Sequence, residues 1–363
     1  MKPSQVFESL KILKAADLPC ILWGPPGVGK SCIMQQLVDW LNAIEGGDHK
    51  LIKQKAKAIP EDVIIKLMYG FLDIRALLLD PVDLRGLPSI NGDQKAHWCP
   101  PAFLPTSGKG IIFFDELPSA PPLTQNALLQ LFLDRKIGEY TLPPGWWIVA
   151  AGNRETDKAF THRMSTPMAN RLIHINYDVD QEDWISWAYQ ADIYPMVIAF
   201  IYNFPHLLLD FDPMNDSKNP EKKNEKAFAS PRTWEFTSDI LKQNPPKDLK
   251  FELLSGTIGQ GPTGEFMTFE KVYNELPDMD NILAHPKTAD VPKGKPDIMY
   301  SLTCALASLA EQDNFKNIVT YAMRIEKEWS MKLMKDIVRK DPMLMKHKSY
   351  TTQWFPEHGA YLQ

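Results

Sequence analysis

The chain has 363 residues, 44% hydrophobic and 23% charged, which is the profile of a globular protein and excludes global disorder. Length alone leaves room for two or three domains. Forty Lys and Arg against 45 Asp and Glu give a formal net charge of −5, which argues against a protein whose main task is to coat nucleic acid.

Residues 4–16 place Val6, Phe7, Leu10 and Leu13 on one helical face, and Ser4 is the expected N-cap. Residues 19–23 predict a short buried strand that runs into Gly24, and a helix is expected over 30–44, ending at Gly46-Gly47. Further buried strands are expected at 111–114, 146–151 and 172–175, with a helix over 123–133. Two hairpins interrupt this plan. One covers about 87–98 with Asn91-Gly92 as its turn, and the other covers 136–142 around Gly138. After Tyr177 the pattern turns helical, over 183–191, 196–204 and 231–243, the last with Ser230 as N-cap and Pro231 at its first position. Residues 212–227 are polar and read as a loop. Residues 255–264 are Gly-rich, 285–297 are Pro/Lys-rich, and helices are expected over 298–310 and 316–340.

Cys20, Cys32, Cys99 and Cys304 stand far apart, so neither a zinc cluster nor a disulfide framework is expected, and a reducing compartment fits. No signal-peptide core is seen, and the longest apolar runs are about half the ~20 residues a membrane helix needs. The cytoplasm is the expected location.

The strongest chemical signal is Gly24-Pro25-Pro26-Gly27-Val28-Gly29-Lys30-Ser31, a full GxxxxGK[ST] phosphate loop after a strand and before a helix. Glycines let backbone N–H groups face phosphate oxygens, and the helix N-terminus adds positive potential. Lys30 would reach the phosphates, and the Ser31 hydroxyl would ligate Mg²⁺. In Ile111-Ile112-Phe113-Phe114-Asp115-Glu116 two carboxylates emerge at the end of a buried strand, where ligands bind in open parallel sheets. Asp115 would hold Mg²⁺ mainly through water, and Glu116 would act as general base. Asn153 ends the next buried strand and would touch the attacking water or the γ-phosphate; the other reading is a turn-forming Asn. Arg163, Arg171 and Arg232 are candidates for the positive charge that a phosphoryl-transfer transition state needs, and a neighbouring subunit can supply such a charge.

The ordered set GPPGVGKS, IIFFDE, AGN, NRL and SPR resembles an AAA+ ATPase and, within that superfamily, the MoxR-like ATPases. Asp83-Leu84-Arg85-Gly86, the hairpin after it and Pro100-Pro101-Ala102-Phe103-Leu104 are similar to that family's insertion in helix 2. The resemblance covers about residues 1–245. It implies an α/β fold: a P-loop AAA+ core with a parallel sheet and helices on both faces, then an α-helical lid and a mainly helical C-terminal extension. The expected boundaries are 1–177, 178–264 and 265–363. The resemblance also implies ATP and Mg²⁺ as cofactors, Asn153 as sensor 1, Arg171 as arginine finger, Arg163 as a second candidate in trans, and Arg232 as sensor 2. One departure is Arg154-Glu155 after Asn153, where a Pro-containing turn is usual; Arg154 competes with Arg163 for a role in trans.

Such proteins form rings, usually hexamers, and remodel a partner protein, often one with a von Willebrand factor A domain. Ile90, Trp98, Ile137 and Tyr140 of the hairpins would either present apolar groups to that partner or pack among themselves. A DNA-directed motor on the same scaffold is the alternative, with Lys50, Lys53, Lys55 and Lys57 facing phosphates or simply solvated. A scaffold that holds nucleotide without turnover would not need Glu116, Asn153 and Arg171.

Overall fold

The computed structural model describes residues 1–45, 68–90, 95–154, 157, 162, 164–211, 227–292 and 296–359. Two compact units divide the chain, the first reaching Asp178 and the second running from Val179. The lysines at 50, 53, 55 and 57, the Asn91-Gly92 turn, Glu155, Arg163 and the loop over 212–226 lie outside the described residues.

The first unit opens with α1 (Pro3–Ala15), one residue earlier than expected. Pro3, not Ser4, sets the start. Its ring presets φ, its missing N–H is an orphan at that position anyway, and Gln5 Oε1 accepts from the Lys2 N–H at 3.3 Å. There follow β1 (Cys20–Trp23), α2 (Lys30–Glu45), β2 (Tyr69–Arg75), α3 (Pro81–Arg85), β3 (Leu87–Ile90), β4 (Ala96–Cys99) and β5 (Lys109–Asp115). Then come α4 (Pro122–Asp134), β6 (Lys136–Ile137), β7 (Tyr140–Thr141), β8 (Gly145–Gly152), α5 (Thr166–Ala169) and β9 (Ile173–Asn176).

Five strands make one parallel sheet in the order β2-β5-β8-β1-β9. The three expected strands and β1 are its centre and one edge. β2, at the other edge, is not anticipated: its run Tyr-Gly-Phe-Leu-Asp-Ile-Arg is only half-buried and carries two charges, so it lacks the continuous apolar signal of its neighbours. Ile112 and Phe114 of β5 pack with Leu128, Leu131 and Phe132 of α4, while Ile111 and Phe113 are buried on the other face. The P-loop α/β fold expected from the sequence is therefore the fold observed.

Both hairpins form. They differ in what they bury. Ile90 and Leu87 of the first are 78% and 70% exposed, whereas Ile137 and Tyr140 of the second are 5% and 8% exposed. The Tyr140 hydroxyl donates to the Pro105 carbonyl at 2.6 Å, and Trp98 lies under the Arg85 guanidinium at 5.4 Å. Of the four hairpin residues, Ile137 and Tyr140 thus pack inward, and Ile90 is exposed.

The second unit is helical: α6 (Gln181–Gln190), α7 (Pro195–Asn203), α8 (Pro231–Lys242), α9 (Lys247–Ile258), α10 (Gln260–Tyr273), α11 (Met279–Ala284), α12 (Pro296–Leu309), α13 (Phe315–Ala322), α14 (Lys327–Lys340) and α15 (Phe355–His358). The Gly-rich stretch 255–264 is helix, broken only at Gly259, whose φ of 88° ends α9 and starts α10. The single helix expected over 316–340 is two, α13 and α14. Residue 264, an expected boundary, falls inside α10. Residues on both sides share one core, in which the Phe200 ring meets Trp234, Phe266 and Phe269 with centroids 5.3, 5.1 and 5.5 Å away.

A buried polar network ties α6, α7, α12 and α14 together. Asp336 has no exposed surface. It accepts from Tyr202 at 2.6 Å, Lys332 at 2.7 Å, Tyr189 at 3.1 Å and Arg339 at 3.2 Å, and Lys332 also lies 3.4 Å from Cys304 Sγ. Burial, reinforced by Asp336, pushes both tyrosine hydroxyls well above their ordinary range, so both stay donors. Asp336→Ala strands a buried ammonium and is expected to destabilise this unit by about 3–5 kcal/mol. Chemical denaturation followed by a probe in the second unit measures this, and an unchanged transition would mean the network contributes no net stability. Among the described residues no helix is long and apolar enough to cross a membrane.

Candidate functional site

Because the five strands are parallel, their C-terminal ends lie along one border of the sheet. β1 ends there in the phosphate loop, β5 in Asp115-Glu116 and β8 in Asn153. Trp23 is in register with Gly152, and the Gly24 N–H donates to the Gly152 carbonyl at 3.2 Å. The strand carrying Asn153 therefore lies between the phosphate-loop strand and the acidic strand.

Gly27 and Gly29 have φ of 78° and 100°, the left-handed region in which a side chain is strained, so the loop's turn depends on them. Gly24 is needed for a different reason: a Cβ there would sit 2.7 Å from the Tyr177 carbonyl oxygen. Lys30 is buried at the first turn of α2. Its Nζ donates to the carbonyls of Gly24 and Pro25 at 2.7 and 3.0 Å and to Asn153 Oδ1 at 3.0 Å. The ammonium is thus held by the loop it would serve and by the residue at the end of β8.

Asp115 and Glu116 stand differently. Asp115 continues the strand and accepts from the Glu116 N–H at 2.9 Å. Glu116 leaves the strand with a φ of 57°, which turns its side chain off the strand line. One of its oxygens lies 3.6 Å from Arg75 Nη1. Arg75 and Asp73 are site residues that the sequence reading missed. They end β2, with Arg75 in register with Asp115 and Asp73 with Phe113. Burial, and then the charge of Asp115, raises the Asp73 pKa above the usual carboxylate value. The signal available was the polar Asp-Ile-Arg ending of an otherwise apolar run.

The arginines separate. Arg171 precedes β9 at its N-terminal end, where Ile173 pairs with Cys20, and it donates to the Pro167 carbonyl at 3.0 Å. The length of β1, about 10 Å at ~3.3 Å per residue, lies between that end and the phosphate loop. Arg232 occupies the second position of α8 in the second unit, exposed, after Ser230, whose Oγ accepts from the Thr233 N–H at 3.3 Å as expected of an N-cap. Arg154 is engaged within its own chain. Its Nη2 donates to Asp178 Oδ1 at 2.8 Å, and its backbone N–H donates to Asp157 Oδ2 at 2.9 Å.

The donors fit a hard divalent cation in kind: a hydroxyl at Ser31 and a carboxylate at Asp115 are the oxygen ligands Mg²⁺ takes, with water completing the shell. Among the described residues no group of three or more His, Cys, Asp or Glu is placed to hold a metal without such help.

No protein-family model and no curated protein matches the chain. Three solved structures similar to it are NtrX from Brucella abortus in complex with ADP, a RuvB mutant from Thermotoga maritima and PCH-2 from C. elegans. NtrX is 13% identical, with 98% of this chain and 68% of that one covered and a TM-score of 0.39. The RuvB mutant is 12% identical, with 84% and 80% covered and a TM-score of 0.37. PCH-2 is 14% identical, with 73% and 67% covered and a TM-score of 0.35. Likeness at this distance transfers no function, and strand order and site geometry stand on their own.

Proposed function

We propose that the chain is a Mg²⁺-dependent ATPase of the AAA+ type that works as a ring and remodels a partner protein. The observation that carries this reading is the meeting of Lys30 and Asn153 at 3.0 Å, on the border of the sheet that also carries Asp115 and Glu116. A cation donor for phosphate, a carboxamide and two carboxylates then share the C-terminal ends of three adjacent strands, the usual ligand position of an open parallel sheet.

In this reading the N–H groups of Gly27 to Ser31 and the Lys30 ammonium bind the β- and γ-phosphates. Ser31 and Asp115 would hold Mg²⁺, which neutralises phosphate charge when bound. Glu116 takes the proton of the attacking water, and Asn153 orients that water. Arg75 holds the Glu116 carboxylate in an ion pair, and Glu116 has to leave that pair to reach the water. Arg171 acts on the site of the adjacent subunit, because the length of β1 separates it from its own phosphate loop. The role of Arg232 as sensor 2 rests on the motif resemblance. The MoxR-like assignment, the hexamer and a von Willebrand factor A domain client rest on the motif resemblance. Ile90 and Leu87, exposed on the first hairpin, are the contact points this reading favours.

The test is steady-state ATP hydrolysis per subunit over a wide range of protein concentration with Mg²⁺. Specific activity is expected to rise and then saturate, as a site completed by a neighbour requires. A flat profile from a chain that sizing finds monomeric at every concentration would sink the ring.

A further inference from the structure

Three segments far apart in sequence meet behind the phosphate loop. Tyr177, just past β9, is almost wholly buried. Its N–H donates to the Trp23 carbonyl at 2.7 Å, and its carbonyl oxygen is the atom that a side chain at Gly24 would strike. Its phenol oxygen is 3.6 Å from where a Cβ would stand on Gly29. Tyr177 therefore backs the loop at both ends. The next residue, Asp178, is the last of the first unit. Its carboxylate accepts from Arg154 Nη2 at 2.8 Å and from the Met1 amino group at 2.8 Å. Those hydrogen bonds, the amino group's first and the guanidinium's second, hold its pKa below the usual carboxylate value, so it stays charged. Arg154 in turn follows Asn153, the partner of Lys30. Its Nη2 lies 3.5 Å from the Tyr177 carbonyl, and its buried Nε has no hydrogen-bond partner among the described residues.

Phosphate binding would draw on the Lys30 ammonium, which Asn153 shares. Any change at Asn153 passes through one peptide bond to Arg154 and through one ion pair to Asp178. A rearrangement of Gly24 or Gly29 reaches the same place through Tyr177. Both routes end where the chain leaves for the second unit, at Val179.

We infer that Arg154 is a positioning residue whose ion pair with Asp178 couples the state of the phosphate loop to the start of the second unit. This assigns Arg154 a role inside its own subunit, in place of the intersubunit role its sequence position suggests. It rests on the nucleotide reading of Lys30 and Asn153.

Hydrogen exchange on the full chain, with and without a non-hydrolysable ATP analogue and Mg²⁺, tests it. In the wild type the analogue is expected to slow exchange across residues 24–31 and also across 176–179. In Arg154→Gln and in Asp178→Asn the protection at 24–31 should persist while that at 176–179 is lost. Arg154→Lys, which keeps the charge, should restore part of it. In hydrolysis assays kcat should fall about tenfold with KM within about twofold, and retained protection at 24–31 in the same samples separates this from loss of folded protein, which lowers kcat in the same way. The double variant should lose no more than either single one, because the two act as a unit. Equal protection at 176–179 in wild type and in both single variants would overturn the coupling and leave the nucleotide site standing. No protection at 24–31 in the wild type would overturn both.

Discussion

Arg171→Ala is expected to leave ATP binding within about twofold of wild type and to lower hydrolysis by about 10³–10⁵-fold, the range found for a charge supplied to a transferring phosphoryl group. Two observations make the prediction specific. Arg171 sits at the N-terminal ends of the strands while the phosphate loop sits at the C-terminal ends, so its own nucleotide is out of reach. It also donates to a nearby carbonyl rather than to a carboxylate, which leaves the guanidinium charge uncompensated by that bond. Lys30→Ala supplies the complement. It should abolish nucleotide binding, since the ammonium is the cation placed inside the loop. Neither variant alone turns over ATP, but random 1:1 rings would contain about one site in four with both parts intact. Recovery of roughly that fraction of wild-type activity on mixing is the expected result. Intact rings with no recovery would remove Arg171 from a role in trans.

Glu116→Gln should bind ATP and assemble normally while turnover falls by about 10²–10⁴-fold, the contribution typical of a positioned general base. The amide keeps the size of the side chain and removes only its basicity and its charge. The ion pair with Arg75 at 3.6 Å is lost with that charge, so a change in ATP affinity would report on Arg75 and a change in kcat on the base. Wild-type turnover in this variant would eliminate Glu116 from the proton transfer. Single-turnover measurements separate the chemical step from product release.

The candidate site is legible where chemistry constrains sequence tightly. The phosphate loop requires glycine at fixed intervals, and the loop indeed has positive φ at Gly27 and Gly29. The Asp-Glu pair and Asn153 were found because each ends a continuous apolar run, the mark of a strand buried on both faces. The same rule hid β2. An edge strand is half-solvated, its pattern mixes apolar and charged residues, and Asp73 and Arg75 went unnoticed with it. In the second unit the Gly-rich composition of 255–264 names no element. Gly256, Gly261 and Gly264 stand in helices with open space where a Cβ would be, and tertiary packing holds two helices there. Ser230 was correct as a cap and Ser4 was not, because Pro3 beside Ser4 is the stronger start signal. The inward packing of Ile137 and Tyr140 depends on contacts distant in sequence, such as that with Pro105, and no local pattern announces it.

Glu116 holds a left-handed backbone, a conformation in which a non-glycine residue other than Asn or Asp costs on the order of 1 kcal/mol or more. On the proposed reading a proton acceptor is thus kept at a place where the chain, judged by folding alone, would rather have glycine or asparagine. Selection for heat resistance and selection for turnover would pull this one codon in opposite directions. Glu116→Asn should melt at a higher temperature than the wild type while its turnover falls by at least the about 10²–10⁴-fold expected of Glu116→Gln, and a library sorted only for stability should discard the carboxylate.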